Sequence, residues 1–292
     1  MTVKKIQGIY RSGRGHWVGD GFPVRTLFDY NSFGKLLSPF LMLDYAGPMD
    51  FPPAQQKRGV GAHPHRGFET VTIVYDGEVA HRDSAGGGGE IGPGDVQWMT
   101  AGAGILHEEF HSPSFTARSG RLHMVQLWVN LPAKDKMTPP GYQAILARDI
   151  PVLALPQDAG FVRVIAGEYE GTRGAAKTFS PMNVWDVKLA TGADVAFRVP
   201  DGHSLAVVVL AGEVLLNGSA RLQEAFLAVL WQEGSQFTLR AEAEGGASLL
   251  VLSGAPLNEP IEGYGPFVMN TAQQIHQAVD DYNSGKFGRM PA

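Results

Sequence analysis

A short pattern recurs along this chain and restricts its fold more than any other feature. Val74-Tyr-Asp-Gly77-Glu-Val79 is echoed by Val209-Leu-Ala-Gly212-Glu-Val214, 135 positions later. In the first copy an Asp-Gly hairpin turn follows a stretch of β-branched and aromatic residues that is typical of a strand. Repetition at the scale of a domain indicates two copies of one β fold. Prolines crowd the middle of the chain, so we expect the boundary near residue 150.

Composition limits the kinds of fold and site that the chain can form. The 37 glycines and 19 prolines among 292 residues indicate many turns and few long helices, and we therefore predict an all-β protein. The absence of cysteine excludes disulfides, thiolate metal sites and cysteine nucleophiles, so metal ligands must be His, Asp or Glu. A net charge of -5, with no run of Lys and Arg, argues against direct nucleic-acid binding.

No stretch of the sequence has the pattern of a targeting or membrane segment. The first residues lack the apolar core of a signal peptide, and no apolar run reaches the roughly 18 residues that a membrane span requires. We therefore expect a cytoplasmic protein with no membrane partner.

Two pairs of side chains with metal-ligand chemistry fall on neighbouring predicted strands. Residues i and i+2 of a strand share a face, which places His63 beside His65 and His107 beside Glu109. Three imidazoles and a carboxylate suit a divalent transition metal. Burying these four groups together would be costly without a metal. The pattern therefore predicts a metal pocket.

The strand that follows the first histidine pair determines what else could face this pocket. If the chain runs on from His63 without a bulge, the odd-numbered residues from Glu69 to Tyr75 also face inward and the even-numbered ones face away. Glu69 is then a second carboxylate within reach of the metal. For His81 and His111 the sequence leaves two locations open. Each side chain could lie at the rim of the pocket or at a strand end in contact with water.

The second copy of the repeat lacks these ligands. Arg198 and Pro200 stand 135 positions after His63 and His65, and His203 is the only histidine nearby. A solitary histidine has no partner at useful spacing, and we interpret it as structural. We predict a second β domain without a metal.

The pattern changes once more near the end of the chain. Thr271 with Gln274 three residues later is typical of a capping box, and apolar residues recur at helical spacing from Ile275 to Tyr282. The sequence predicts a C-terminal helix over about residues 271–284, closing a C-terminal domain of residues 151–292.

Several motifs, in this order along the chain, resemble the pirin family of the cupin superfamily. They are His63-Pro-His-Arg-Gly-Phe-Glu-Thr70, Pro93-Gly-Asp-Val-Gln-Trp-Met-Thr-Ala101-Gly, Gly104-Ile-Leu-His107, Gln126-Leu-Trp-Val-Asn-Leu131 and Gly265-Pro-Phe-Val-Met-Asn-Thr271. The resemblance implies a bicupin, in which two cupin β-barrels of the jelly-roll type face each other, with a C-terminal helix. It places metal only in the N-terminal cupin domain, residues 1–150.

The resemblance also implies a ligand set. The pirin ligands correspond to His63, His65, His107 and Glu109, which would hold one Fe²⁺, and copper, nickel or zinc could displace iron in a preparation. The more general cupin pattern, a Glu three or four residues after His-x-His, nominates Glu69 in place of Glu109. Otherwise Glu69 would support the ligands or form part of the pocket wall.

Two classes of function follow from the resemblance. In the first, the protein opens the ring of flavonols such as quercetin, or of other enediol-type substrates, with O₂ in the manner of quercetin 2,3-dioxygenase. Glu109 would then be both a metal ligand and the general base for the flavonol hydroxyl. In the second, it is a non-enzymatic, iron-dependent redox sensor that binds a transcription factor or a metabolic enzyme. The sequence names no such protein partner, and we favour the dioxygenase.

Overall fold

The structure, a computed structural model, describes residues 2–291 and is built mainly from strands. The first strands are β1 (Ile6–Arg11), β2 (His16–Val18), β3 (Phe22–Phe28), β4 (Phe40–Phe51), β5 (Gly59–His65), β6 (Phe68–Asp76), β7 (Val79–Asp83), β8 (Gly88–Ile91), β9 (Val96–Thr100), β10 (Ile105–His111), β11 (Gly120–Asn130), β12 (Gly141–Ile145) and β13 (Val152–Ala154). The others are β14 (Gly160–Ala166), β15 (Glu168–Tyr169), β16 (Thr172–Arg173), β17 (Met182–Leu189), β18 (Asp194–Arg198), β19 (Ser204–Ala211), β20 (Glu213–Leu216), β21 (Ala220–Gln223), β22 (Phe226–Leu230), β23 (Gln236–Ala241), β24 (Ala247–Gly254), β25 (Glu262–Tyr264) and β26 (Phe267–Met269). The helices are α1 (Tyr30–Leu37), α2 (Pro113–Arg118) and α3 (Ala272–Asn283). Within the described residues, no helix is long and apolar enough to cross a membrane.

The chain forms two compact units, each assembled from separate segments. The N-terminal unit contains residues 14–32, 41–147 and 258–291, and the C-terminal unit contains residues 2–13, 33–40 and 148–257. This division differs from the predicted one at 1–150 and 151–292. The physical reason is pairing over long sequence distances, because β1 adds to the sheet of the C-terminal unit through β22 and the end of the chain packs within the N-terminal unit.

Both units are built on the same plan, which confirms the predicted repeat. The N-terminal unit has a sheet of seven strands in the order β12-β9-β6-β11-β4-β3-β2 and a sheet of four in the order β5-β10-β7-β8. The C-terminal unit has sheets of seven and four strands in the orders β1-β22-β19-β24-β17-β14-β13 and β18-β23-β20-β21. Gly77 and Gly212, the turn glycines of the repeated sequence pattern, have φ of 86° and 79°, a conformation that favours glycine.

The units differ in what fills the space between corresponding strands. In the C-terminal unit Phe197 of β18 lies opposite Phe237 of β23, and their rings stack with centroids 5.4 Å apart in a fully buried apolar core. In the N-terminal unit the matching pair of strands, β5 and β10, places His63 opposite His107. The same pair of strands therefore contributes aromatic rings to an apolar core in the C-terminal unit and imidazoles in the N-terminal unit.

The C-terminal segment of the chain is anchored beside the first histidine pair. The predicted capping box is confirmed, since Thr271 accepts from the Gln274 amide and the Gln274 side chain accepts from Thr271 in return. Arg66, which is 4% exposed, donates to Asp281 of α3 at 2.9 Å and to the Ala103 carbonyl at 2.7 Å. The helix predicted for the C-terminal domain thus belongs to the N-terminal unit.

Replacing Arg66 with Met should lower the free energy of unfolding of the metal-free protein by about 2 kcal/mol, because Asp281 loses a charged donor while keeping Lys286. Chemical denaturation measures this change. Arg82→Met is the matched control, since Arg82 is largely exposed where it pairs with Glu108, and it should cost less than about 1 kcal/mol. Equal and small losses for both variants would contradict this account of the anchor.

Candidate metal centre

Three imidazoles converge between β5 and β10. His63 and His65 lie two residues apart on β5, and His107 of β10 pairs directly with His63. The ring centroids of the three are 4.2 to 4.9 Å apart. One ring nitrogen from each histidine lies within 4.8 Å of the other two, which is close enough for a single metal ion to bind all three.

The second nitrogen of each ring is already engaged elsewhere. Nδ1 of His63 donates to the Gly61 carbonyl at 2.8 Å, and Nδ1 of His65 donates to the Pro266 carbonyl at 3.4 Å. Nδ1 of His107 lies 3.4 Å from Nδ1 of His81. Nε2 of His107 is buried without a hydrogen-bond partner, a situation that a metal ligand would explain. Metal-binding histidines commonly use one ring nitrogen for support in this way.

Burial keeps two of the imidazoles, those of His65 and His107, uncharged. It lowers the pKa of His65 and of His107 well below 6.5, and the neighbouring histidines add to the effect. A neutral imidazole offers a lone pair to a cation, whereas a protonated one does not. The donor set therefore fits a divalent transition metal.

The carboxylate of Glu109 lies beside the imidazoles and is held by side-chain hydrogen bonds. Its Oε1 accepts from the side chain of Gln97 at 3.3 Å and lies 3.2 Å from the hydroxyl of Thr72. A carboxylate oxygen of Glu109 lies within 4.8 Å of a ring nitrogen of His107 and of His81, and these three form one candidate ligand group. His63, His65 and His107 form the other. His107 is thus shared by the two groups. In the pairing with β5 the register shifts between His107 and Glu109, so that Glu109 lies opposite Val60.

Glu69 faces away from this pocket, so the predicted inward face of β6 is wrong. Thr72 pairs with Gln97 across β6 and β9, and both contact Glu109, which makes the even-numbered residues of β6 the inner ones. Glu69 lies on the opposite face, where it accepts from Thr100 at 2.7 Å. The alternation of faces does not continue from β5 into β6 because Gly67, at φ 88°, turns the chain between them.

A pH dependence of stability follows from Glu69. Burial raises its pKa from 4.5 to about 7, and the Thr100 hydrogen bond offsets this only in part. Between these pH values the folded protein binds more protons than the unfolded chain, so stability falls as pH rises through the window. Glu69→Gln should therefore raise the free energy of unfolding by about 1 to 3 kcal/mol at pH 8 and leave it unchanged at pH 4. Denaturation at both pH values measures this.

Metal content supplies the second readout for Glu69→Gln. Because the side chain faces away from the imidazoles, the variant should bind as much metal as the wild type. Loss of metal in Glu69→Gln would instead identify Glu69 as a ligand.

The sequence left the position of His81 open, and in the structure His81 is buried beside His107. His81 is 1% exposed, and its ring stacks on Tyr142 with centroids 5.2 Å apart. Nε2 of His81 lies 3.2 Å from Asp83, and Nδ1 lies 3.1 Å from the amide nitrogen of Gln97. The signal that could have found this pair is the spacing of His81 and Asp83, two apart on one strand.

His111 and His123 are buried for structural reasons. His111 continues the inward face of β10 and donates to the Gly21 carbonyl at 2.8 Å, and its pKa is lowered by burial. His123 lies against the rings of Tyr45 and Tyr75. In the C-terminal unit, His203 contacts Ser253 and belongs to no group of metal-ligating side chains among residues 2–291.

The two antiparallel barrels are built on one plan, and together they define a bicupin with a C-terminal helix. The first barrel contains the imidazole cluster and hence the candidate metal site, and the second contains an apolar core. Family profiles agree with this class. The profile described as Pirin matches residues 21–129, and the one described as the Pirin C-terminal cupin domain matches residues 184–288. The chain belongs to the pirin family.

Individual relatives resemble the chain over its whole length. A Pseudomonas aeruginosa protein provisionally named a quercetin 2,3-dioxygenase is 59% identical over 287 residues, covering 98% of this chain and 99% of the relative. A pirin-like protein of Solanum lycopersicum is 37% identical over 289 residues, covering 99% and 93%. A crystal structure described as a quercetin 2,3-dioxygenase from Acinetobacter baumannii is 59% identical, with a TM-score of 0.95 and coverage of 98% and 99%.

Proposed function

We propose that the protein is a mononuclear iron dioxygenase of the quercetin 2,3-dioxygenase type, which opens the ring of a flavonol or another enediol-type substrate with O₂. The observation that carries the proposal is the group of three imidazoles, of which His107 has a buried Nε2 without a hydrogen-bond partner. The names of the relatives from Pseudomonas aeruginosa and Acinetobacter baumannii support the reaction class.

The residues that would hold Fe²⁺ are His63, His65, His107 and Glu109. Bound there, the ion would supply Lewis-acid and one-electron chemistry toward O₂ and the substrate oxygens. The hydrogen bonds of His63 and His65 to backbone carbonyls fix both rings before any ligand arrives. An ion held by these four side chains would also bring the substrate and O₂ together.

Glu109 has a second task in the proposal, which is to accept the proton of the flavonol hydroxyl. Its carboxylate is 7% exposed, and Gln97 and Thr72 hold it beside His107. Holding the carboxylate in place keeps it oriented toward an arriving hydroxyl group without reorganisation.

Glu109→Gln should lower turnover at least about 100-fold, in line with the usual contribution of a general base. It should also weaken iron binding, because a neutral amide is a poorer ligand than a carboxylate. Iron content per chain and flavonol consumption measure the two effects separately. Unchanged iron content together with unchanged turnover would contradict both roles of Glu109.

The proposed reaction is tested with protein prepared anaerobically, loaded with Fe²⁺ and mixed with quercetin and O₂. We expect the flavonol absorbance to disappear, with release of about one carbon monoxide per flavonol consumed. Metal-free protein and protein loaded with Zn²⁺ serve as controls and should be inactive. Iron-loaded protein that neither consumes quercetin nor releases carbon monoxide would contradict the proposal for this substrate and favour the iron-dependent regulator.

A further inference from the structure

A chain of buried hydrogen bonds leads from a carboxylate to the central imidazole. Asp83 contacts His81, and His81 contacts His107, through atoms that are all buried. We propose that Asp83 and His81 are positioning residues that fix the proton of His107 on Nδ1 and thereby leave Nε2 as a lone pair for the metal. The inference rests on the metal site of the proposed function and adds two residues to it.

The chain begins at Asp83, which is held as an acceptor. Its Oδ1 accepts from the backbone amides of Ala85 at 2.9 Å and Gly87 at 2.8 Å. Its Oδ2 is left to face Nε2 of His81 at 3.2 Å. An ionised carboxylate only accepts hydrogen bonds, so Nε2 of His81 must carry the proton.

A second contact shows that Nδ1 of His81 is an acceptor and therefore carries no proton. The Gln97 amide is oriented by Tyr142, whose hydroxyl donates to Gln97 Oε1 at 3.2 Å. The amide nitrogen then donates to Glu109 at 3.3 Å and to Nδ1 of His81 at 3.1 Å. Both neighbours of His81 therefore assign it the same tautomer.

The last step sets the tautomer of His107. Its Nδ1 lies 3.4 Å from Nδ1 of His81. Two lone pairs facing each other at this distance would repel, so the proton of neutral His107 belongs on Nδ1. The other tautomer would also leave a buried Nε2–H with no acceptor, because Nε2 of His107 has no hydrogen-bond partner. A carboxylate that supports a metal-binding histidine is a recurrent device, and here a second histidine extends it.

The direct test reads proton positions in metal-free protein labelled with ¹⁵N at histidine, using two-bond ¹H–¹⁵N correlation spectra. In the wild type, we expect the proton on Nε2 of His81 and on Nδ1 of His107. In Asp83→Asn, the amide oxygen keeps the bonds to Ala85 and Gly87, while its NH₂ group faces His81. Both histidines should then exchange tautomers. A wild-type His107 protonated on Nε2, or unchanged tautomers in Asp83→Asn, would overturn the proposal.

Co²⁺ binding, followed by visible absorption, supplies a second readout. Asp83→Asn should bind Co²⁺ about 10- to 100-fold more weakly than the wild type, the usual effect of losing a supporting residue. Asp20→Asn, which alters a carboxylate that caps the Gly59 amide, is the matched control and should bind as the wild type does. Thermal melts without metal confirm that the variants fold.

Two changes at His81 separate support from direct ligation. His81→Asn retains an oxygen acceptor near the position of Nδ1 and should keep Co²⁺ affinity within about threefold. His81→Leu should lose as much affinity as Asp83→Asn. If His81→Asn weakens binding as much as His107→Ala does, His81 is a ligand and the proposed role is wrong. If His107→Ala itself binds Co²⁺ normally, the metal site of the proposed function fails, while the tautomers are still read from the metal-free spectra.

Discussion

His107→Ala should abolish metal binding and flavonol consumption together. His107 belongs to both groups of side chains that could hold a metal ion, and its Nε2 is buried without a hydrogen-bond partner. In the proposed function, His107 is a ligand rather than a supporting group. We expect affinity for Fe²⁺ or Co²⁺ to fall more than about 100-fold, beyond the usual effect of losing a supporting residue. Metal analysis and the quercetin assay measure the two losses.

The matched control for His107→Ala is His111→Gln on the same strand. His111 lies four residues further along the inward face of β10 and donates to the Gly21 carbonyl, a bond that a glutamine can retain. This variant should bind metal and consume flavonol as the wild type does. Metal lost from His111→Gln but kept by His107→Ala would place the site elsewhere in the barrel.

Phe237→Ala should destabilise the protein strongly without affecting the metal centre. Phe237 is fully buried and stacks on Phe197 in the C-terminal unit, in the register position that His107 occupies in the N-terminal unit. Truncating a buried phenylalanine removes its transfer free energy and leaves a cavity, which costs about 3 to 5 kcal/mol. Chemical denaturation measures the loss, and metal titration of the folded variant should match the wild type.

Phe161→Ala is the control for the cavity. Phe161 is 37% exposed on β14, so its removal should cost less than about 1.5 kcal/mol. A similar loss for both variants would show that the core of the C-terminal unit is less well packed than described. Loss of metal from folded Phe237→Ala would contradict the assignment of the metal to the N-terminal barrel.

The sequence predicted features that depend on local geometry. The echo around Gly77 and Gly212 predicted two copies of one β fold, because the turn needs a positive φ in both. The capping box at Thr271 predicted the start of α3, since its hydrogen bonds join residues three positions apart. The strand period of two predicted that His63 lies beside His65 on β5, because this contact also joins residues close in sequence.

Features that depend on long-range contacts could not be predicted in this way. Arg66 and Asp281 are separated by 215 positions, so nothing local assigns α3 to the N-terminal unit. The turn at Gly67 reversed the parity of β6, and the predicted face of Glu69 was wrong as a result. The position of His81 relative to Glu109 depends on the pairing of β7 with β10, which places the two residues opposite each other. Spacing within β7 predicts only that His81 shares a face with Asp83.

In the proposed function, one metal ion is held by His63, His65, His107 and Glu109, and the C-terminal barrel holds none. Anomalous diffraction at the iron edge, from crystals of protein loaded anaerobically with Fe²⁺, tests this assignment most directly. We expect one peak per chain, within coordination distance of a nitrogen of each histidine and an oxygen of Glu109. A peak bound by Glu69, a peak in the C-terminal barrel, or no peak among the three histidines would contradict the assignment.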